Sequence, residues 1–427
     1  MGVYGHSEAA NLAYLALYAL QHRGQESSGI VSSRGDALIS HRGLGLVADI
    51  FRPEIIQRLV GTAAIGHNRY GTHGETLLKN AQPLVVEYAG GALGVAHNGN
   101  LVDADQVRAD LEATGSIFQS NSDTEVVIHL IAQARGERLV DKVITALSKV
   151  RGAYSMVFLS KTQLIAARDP MGFRPLVLGR VKDAWVVVSE TCALDLMNAE
   201  YVREVEPGEI LVISEGGLES TKPFPAAPHR RCVFEYVYFA RPDSRVFDRT
   251  VYQVRRELGR QLARESHIDA DLVTPVPDSG VPAGLGYAEE AGIPYQLMEG
   301  KRVVVVDDSL VRGTTSQKIV AMLRTAGAAE VHMRICSPPT ISPCYYGIDT
   351  PTRAELVGSS HSVEEIREFI GADSLAYLSE EGLYAFQERG SERDFCDACF
   401  TARYPIAVAE APEPRQLHLF DAFQAKV

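Results

Sequence analysis

The run Val303-Val304-Val305-Val306-Asp307-Asp308-Ser309-Leu310-Val311-Arg312-Gly313-Thr314-Thr315-Ser316 decides the fold of the second half of this chain. Four consecutive β-branched residues suit a strand buried on both faces. They end in paired carboxylates, and a short loop then leads to hydroxyl residues suited to a helix start. Strand, loop and helix in that order leave free backbone N–H groups at the helix N-terminus, a cradle for phosphate with the hydroxyls of Thr314, Thr315 and Ser316 and with Arg312 beside it. Ionised carboxylates only accept hydrogen bonds, so Asp307 and Asp308 suit sugar hydroxyls or a Mg²⁺ shell. Asp-Ser alone would read as an ordinary Asx turn. The valines before it and the Arg-Gly-Thr-Thr after it make the phosphate reading the specific one.

Outward from this run, strands and helices alternate. Helical spacing over residues 252–265 precedes a strand at 272–276, a helix at 283–291 precedes the run itself, and 315–326 is again helical. That rhythm predicts an α/β domain with a largely parallel sheet. The turn Pro275-Val276-Pro277-Asp278-Ser279-Gly280 follows one of these strands. The first half differs. A helix is expected at 11–21, amphipathic helices near 123–135 and 139–150, and short apolar strands at 63–65, 93–96, 154–159, 164–167 and 185–188. Sheet and helices together predict a layered α+β domain. Gly216, Gly217, Pro223, Pro225 and Pro228 mark residues 215–228 as a linker. Two domains are therefore expected, 1–228 and 229–405, with 406–427 as a mobile tail.

Composition narrows the function. A net charge of −12 gives no support to nonspecific nucleic-acid binding, and no basic module is visible. The apolar stretch 12–20 is too short to span a bilayer, and no basic leader precedes it, so a cytoplasmic protein without membrane contact is expected. In such a chain the six cysteines are free, catalytic or metal-bound rather than disulfide-paired. Cys396-x-x-Cys399 by itself fits zinc or redox chemistry equally.

Several motifs together are more specific than any one. ALQHRGQESSGI (19–30), GHNRYGTHG (66–74), NAQPL (80–84), AHNGNL (96–101) and SDTE (122–125) resemble the N-terminal-nucleophile glutamine amidotransferases. The 303–316 run resembles the phosphoribosyl pyrophosphate (PRPP) fingerprint of type I phosphoribosyltransferases. Their combination, over nearly the whole chain, resembles the amidophosphoribosyltransferase family. The resemblance implies an αββα glutaminase-type domain followed by a type I phosphoribosyltransferase α/β domain. It implies that Arg69 binds the glutamine α-carboxylate, Asp123 its α-amino group, and that Asn98 and the Gly99 N–H form the oxyanion hole. Such roles are chemically apt, since arginine offers a planar fork and an amide suits a developing oxyanion. PRPP would be held by Asp278, Ser279, Asp307, Asp308, Ser309, Arg312, Gly313, Thr314 and Thr315, and Mg²⁺ by Ser279, Asp307 and Asp308.

Further expectations follow from the same resemblance. Cys232, Cys344, Cys396 and Cys399 match the ligands of a 4Fe-4S cluster in the iron–sulfur branch of the family, with zinc on the same four thiolates as the alternative. Purine nucleotides would inhibit, and the assembly would be a homotetramer. Two departures stand out. The family's nucleophile is an N-terminal cysteine, whereas Met1-Gly2-Val3 opens this chain. A thioether cannot attack an amide, so either glutaminase activity is absent from this polypeptide, with ammonia as nitrogen donor, or the natural protein begins upstream and is trimmed to expose a cysteine. Cys192 lies where the family has a noncatalytic residue and is left, with Cys336, as a buried hydrophobe. Between Gln296 and Leu297 the family has roughly thirty more residues, a loop that closes over PRPP. A noncatalytic PRPP-binding regulator is the alternative function. An amidotransferase feeding ammonia to a sugar phosphate or aspartate fits less well, because those enzymes lack the phosphoribosyl fingerprint.

Overall fold

In the computed structural model, residues 1–70, 77–294, 300–387 and 394–408 are described. The Gln296–Leu297 junction, the end of GHNRYGTHG and residues 409–427 of the expected tail lie outside them.

The first half is four layers deep. A seven-stranded antiparallel sheet runs in the order Glu200–Glu204, Val177–Val181, Ala184–Val188, Gly2–Tyr4, Ala63–Arg69, Ser27–Ser33, Leu38–Leu44. A six-stranded sheet runs Gly217–Thr221, Ile210–Ser214, Leu164–Arg168, Gly152–Leu159, Gly91–Leu101, Leu84–Tyr88. Val31, Ile65, Val157, Leu164 and Leu211 fill the space between the sheets. Alternation along each strand leaves a second apolar face outside. Helices Ala9–Ala19 and Thr191–Met197 cover the seven-stranded sheet. Helices Ala104–Ala113, Asp123–Gln133 and Leu139–Leu147 cover the other. The result is the expected αββα arrangement. One expectation is corrected: the stretch read as a linker contains the strand Gly217–Thr221, paired along Ile210–Ser214. Its glycines make the hairpin turn (Gly217 has φ +102°) instead of a flexible connection.

The second half holds a four-stranded parallel sheet in the order Leu272–Pro275, Arg302–Asp307, Glu330–Ile335, Ser374–Tyr377. Strand Arg302–Asp307 is interior, which explains its four valines. Val304 and Val306 face helices Val251–Glu265 and Val281–Ala291, while Val303 and Val305 face Thr314–Thr325 and Val363–Ile370. Arg231–Cys232 pairs in parallel with Phe395–Cys396, so the C-terminal segment returns to the start of this half.

The loop before Val281–Ala291 is set by how that helix meets Val251–Glu265. Their approach is so close that a Cβ on Gly259 would stand 1.9 Å from the Ala283 carbonyl oxygen, and one on Gly286 2.0 Å from that of Arg256. Gly259→Ala must push the helices apart, at a cost of about 2 kcal/mol or more. Thermal unfolding should show Tm lowered by several degrees. Gly216→Ala, whose Cβ would meet only the Ser214 hydroxyl at 3.5 Å, should leave Tm nearly unchanged.

Candidate active sites

The glutamine-motif residues converge on one pocket. Arg69 ends the strand Ala63–Arg69, Asn98 and Gly99 lie in Gly91–Leu101, and Asp123 opens the helix Asp123–Gln133 behind the N-cap Ser122. All four line the same cavity. Gly99 has φ +147°, and a Cβ there would stand 2.0 Å from the Ala153 carbonyl oxygen, so no other residue fits. The Asn98 Nδ2 is enclosed and has no hydrogen-bond partner among the described residues. An unpaired buried donor is costly, and a ligand oxygen would satisfy it. Arg69 donates from Nη1 to Glu26 Oε2 at 2.9 Å, and Asp123 Oδ2 accepts from the Leu101 N–H at 3.0 Å.

The HRGQE segment explains itself here. A Cβ on Gly24 would stand 2.5 Å from the Arg69 carbonyl carbon, Glu26 pairs with Arg69, and Arg23 turns into the interior. Met1 lies in an adjoining pocket wall with His67, His97 and Asn98. Among the described residues no cysteine lines either pocket.

Second, the 303–316 run builds an acidic step facing a helix start. Asp307 and Asp308 are 7% and 6% exposed, and neither has an ion-pair partner among the described residues. Burial, then the neighbouring Asp308, pushes the Asp307 carboxyl well above the usual carboxylate range. Burial also raises Asp308, against hydrogen bonds from the Ser279 and Ser309 hydroxyls and the charge of Arg255. The Ser279 hydroxyl donates to Asp308 Oδ2 and that of Ser309 to Oδ1 at 2.8 Å. The two loops therefore meet at one carboxylate. Gly280 permits this, since a Cβ there would crowd the Val276 and Val306 carbonyls at 2.7 and 2.8 Å.

Helix Thr314–Thr325 starts after Gly313 in the left-handed conformation (φ 75°), with no side chain capping its first amides. Thr314, Thr315 and Ser316 thus present N–H groups to an incoming anion. Asp278 is exposed on the turn. Arg312 differs from expectation: its guanidinium is half exposed and donates to Glu355 Oε1 at 2.9 Å, so in this state it is held by a carboxylate beside the cradle.

Third, Cys232, Cys344, Cys396 and Cys399 line a single, almost wholly apolar cavity with Phe173 and Tyr346. Burial pushes the Cys232 thiol up to about 12 and those of Cys396 and Cys399 well above the usual range, with neighbouring cysteines adding to the effect. No described group of three or more His, Cys, Asp or Glu is arranged to hold a single metal ion. Cys192 and Cys336 are buried apart from this cavity, as expected.

Residues 67–196 match the glutamine amidotransferase domain family. A chloroplastic amidophosphoribosyltransferase 2 of Arabidopsis thaliana is 50% identical over 446 residues, covering 96% of this chain and 79% of its own length. A solved structure of glutamine phosphoribosylpyrophosphate amidotransferase from B. subtilis, complexed with ADP and GMP, superposes with a TM-score of 0.92 at 46% identity, covering 96% of this chain and 97% of that one. Another, of the allosteric regulatory enzyme of purine biosynthesis, gives 0.93 at 46% identity and 96% of each chain. The chain belongs to the amidophosphoribosyltransferase family.

The amidophosphoribosyltransferase motifs marked many of the residues that meet in the two pockets, but several were reached only through the fold. Phe239 and Gly347, from the second half, complete the glutamine pocket. Buried Arg23 pairs with Glu190 and, at 2.8 Å, with Glu235, which also pairs with Arg174 at 2.9 Å. A charged residue inside a motif resembles a substrate contact, and nothing local says that its partners lie across the chain.

His67 offers a test of how dry the glutamine pocket is. Its Nε2 lies 2.8 Å from the His97 carbonyl oxygen, and its enclosed Nδ1 has no hydrogen-bond partner among the described residues. Burial pushes this imidazole down to about 3. The unfolded chain takes up that proton at about pH 6.5, so it binds more protons than the folded chain between the two values. Stability is therefore lost as pH falls through this window. In His67→Asn, the decline of Tm from about pH 6.5 to 4 should be shallower; an identical decline would mean that the imidazole is solvated.

Proposed function

We propose that this chain displaces pyrophosphate from PRPP with ammonia, forming 5-phosphoribosylamine. The observation behind this reading is the joining of Ser279 to Asp308 at the foot of an uncapped helix start. Family membership supports it, since the reaction is the one for which amidophosphoribosyltransferases are named. Asp307 and Asp308 accept from the ribose hydroxyls, and the first amides of helix Thr314–Thr325, with the Ser309 and Thr314 hydroxyls, take the 5′-phosphate. The Asp278–Ser279 turn faces the departing pyrophosphate.

Two buried carboxylates without an ion pair fit a divalent cation, with Ser279, Asp307 and Asp308 as its neighbours. Mg²⁺, when bound, neutralises charge on the leaving pyrophosphate. The protein's part is orientation and charge placement, since an oxocarbenium-like C1 needs no protein nucleophile.

In the glutamine pocket, Arg69 and Asp123 would hold the α-carboxylate and α-amino groups, and Asn98 Nδ2 with the Gly99 N–H would face the amide oxygen. Among the described residues no thiol lines this pocket, and ammonia is the nitrogen donor in this reading. The four thiols around an apolar cavity fit a 4Fe-4S cluster that fastens the C-terminal segment to Arg231–Cys232, with zinc on the same thiols as the alternative. Cytoplasmic location, tetramer assembly, domains split near residue 228, and inhibition by purine nucleotides complete the proposal. The B. subtilis relative bound to ADP and GMP supports the last.

Purified anaerobically, the 427-residue chain should contain about four iron and four sulfide per chain. It should release pyrophosphate from PRPP with Mg²⁺ and ammonium, and Asp308→Asn should lower that rate about 100-fold or more. Glutamate release from glutamine would overturn the ammonia-only reading. Pyrophosphate release undiminished in Asp308→Asn would overturn the assignment of the acidic pair.

A further inference from the structure

The segment 235–240 lies between the two sites. Glu235 pairs with Arg23, which lines the glutamine pocket. Phe239 stands in that pocket's wall, with the Arg23 guanidinium 4.5 Å from its ring centre. Val237 and Phe239 pack in the same core as Val304 and Val306, on the strand that ends in Asp307. The segment is wound more widely than an α-helix, with the Ala240 N–H reaching the Glu235 carbonyl at 3.0 Å. Such a turn leaves carbonyls without the usual amide partners.

Arg255, on helix Val251–Glu265, collects them. Its Nε donates to the Tyr236 carbonyl at 2.7 Å, and its Nη2 to those of Tyr238 and Ala240, each at 2.7 Å. The residue is 2% exposed and forms no ion pair among the described residues. Burying an arginine on neutral oxygens alone is costly. What it secures is a stretch of backbone between the two sites, and its charge acts on Asp308.

We infer that Arg255 is a positioning residue common to both sites: it fixes the carbonyls of 236–240, holds the phosphoribosyl site in its binding shape, and ties that shape through Glu235 to Arg23 at the glutamine pocket. This rests on the reading of Asp307–Thr315 as the PRPP site. Lysine keeps the charge but cannot span three carbonyls, so R255K separates geometry from charge.

The test is equilibrium titration of Mg²⁺·PRPP into the anaerobic holoprotein, its R255K and R23K variants and the double variant, with Tm measured for each. R255K should weaken PRPP binding about five-fold or more while Tm stays within a few degrees. R23K, in the other pocket, should weaken it about two- to three-fold, and the double variant should fall short of the product of the two effects. R255K binding as wild type does, or two effects that multiply independently, would overturn the inference. Failure of the wild type to bind PRPP would overturn the site reading, and this inference with it. R255M, lacking charge and donors alike, should bind at least as weakly as R255K; tighter binding than R255K also counts against the inference.

Discussion

Much of this molecule hangs on the charges buried between its halves. Arg23, on the first half, sits between Glu190 and Glu235, both 0% exposed, and Arg174 completes the set. Burial alone would raise Glu190, but Arg23 and His22 outweigh it and keep its carboxyl far below the usual carboxylate range. The same carboxylate accepts from the Arg241 N–H at 3.0 Å and the Ser244 hydroxyl at 2.8 Å. Removing one member of such a group strands its partner in low dielectric, a loss of about 3–5 kcal/mol. The halves are therefore joined by a contact whose failure is expensive, where many domain pairs share only a polar, forgiving surface.

That junction decides what each pocket can be. The glutamine pocket takes Phe239 and Gly347 from the second half, so the first half alone would leave it open. A Cβ on Gly347 would stand 2.7 Å from the Gly99 Cα, which means the segment after Cys344 is pressed against the strand holding Asn98. The Asn100 side-chain amide donates to the Tyr345 carbonyl at 3.1 Å across the same boundary. The acidic pair, by contrast, belongs wholly to the second half, and its geometry follows from one parallel strand and the loops at its end. Ligands at the carboxyl ends of parallel strands are a recurring outcome of that architecture.

How much of this the residues disclose differs from place to place. The 303–316 run was legible because strand, loop and helix start are all local, and the parallel sheet follows from the alternation around it. The pocket of Arg69, Asn98, Gly99 and Asp123 was legible only as separate short motifs, brought together by likeness to a family. Residues 215–228 misled, because glycine and proline mark a tight hairpin as readily as a flexible connection. Arg255, Glu190 and Glu235 were illegible for a physical reason. A buried charge is identified by its partners, and these lie tens or hundreds of residues away along the chain. Arg312 shows the converse, since its motif position suggested a phosphate contact and Glu355, outside the motif, now holds it.

The parallel pairing of Arg231–Cys232 with Phe395–Cys396 also sets an order of manufacture. A ribosome delivers Cys232 and Cys344 before Cys396 and Cys399, so the four-thiol cavity cannot exist until the chain has emerged through Cys399. Domains fold as units during synthesis, N-terminal first, and the layered first half can close while the rest is still being made. The cysteine cavity is therefore assembled after the layered first half and the parallel sheet have been made. Until then Cys232 and Cys344 wait on an unclosed chain, exposed to oxidants. Their protection depends on the return of Phe395–Cys396 to Arg231–Cys232.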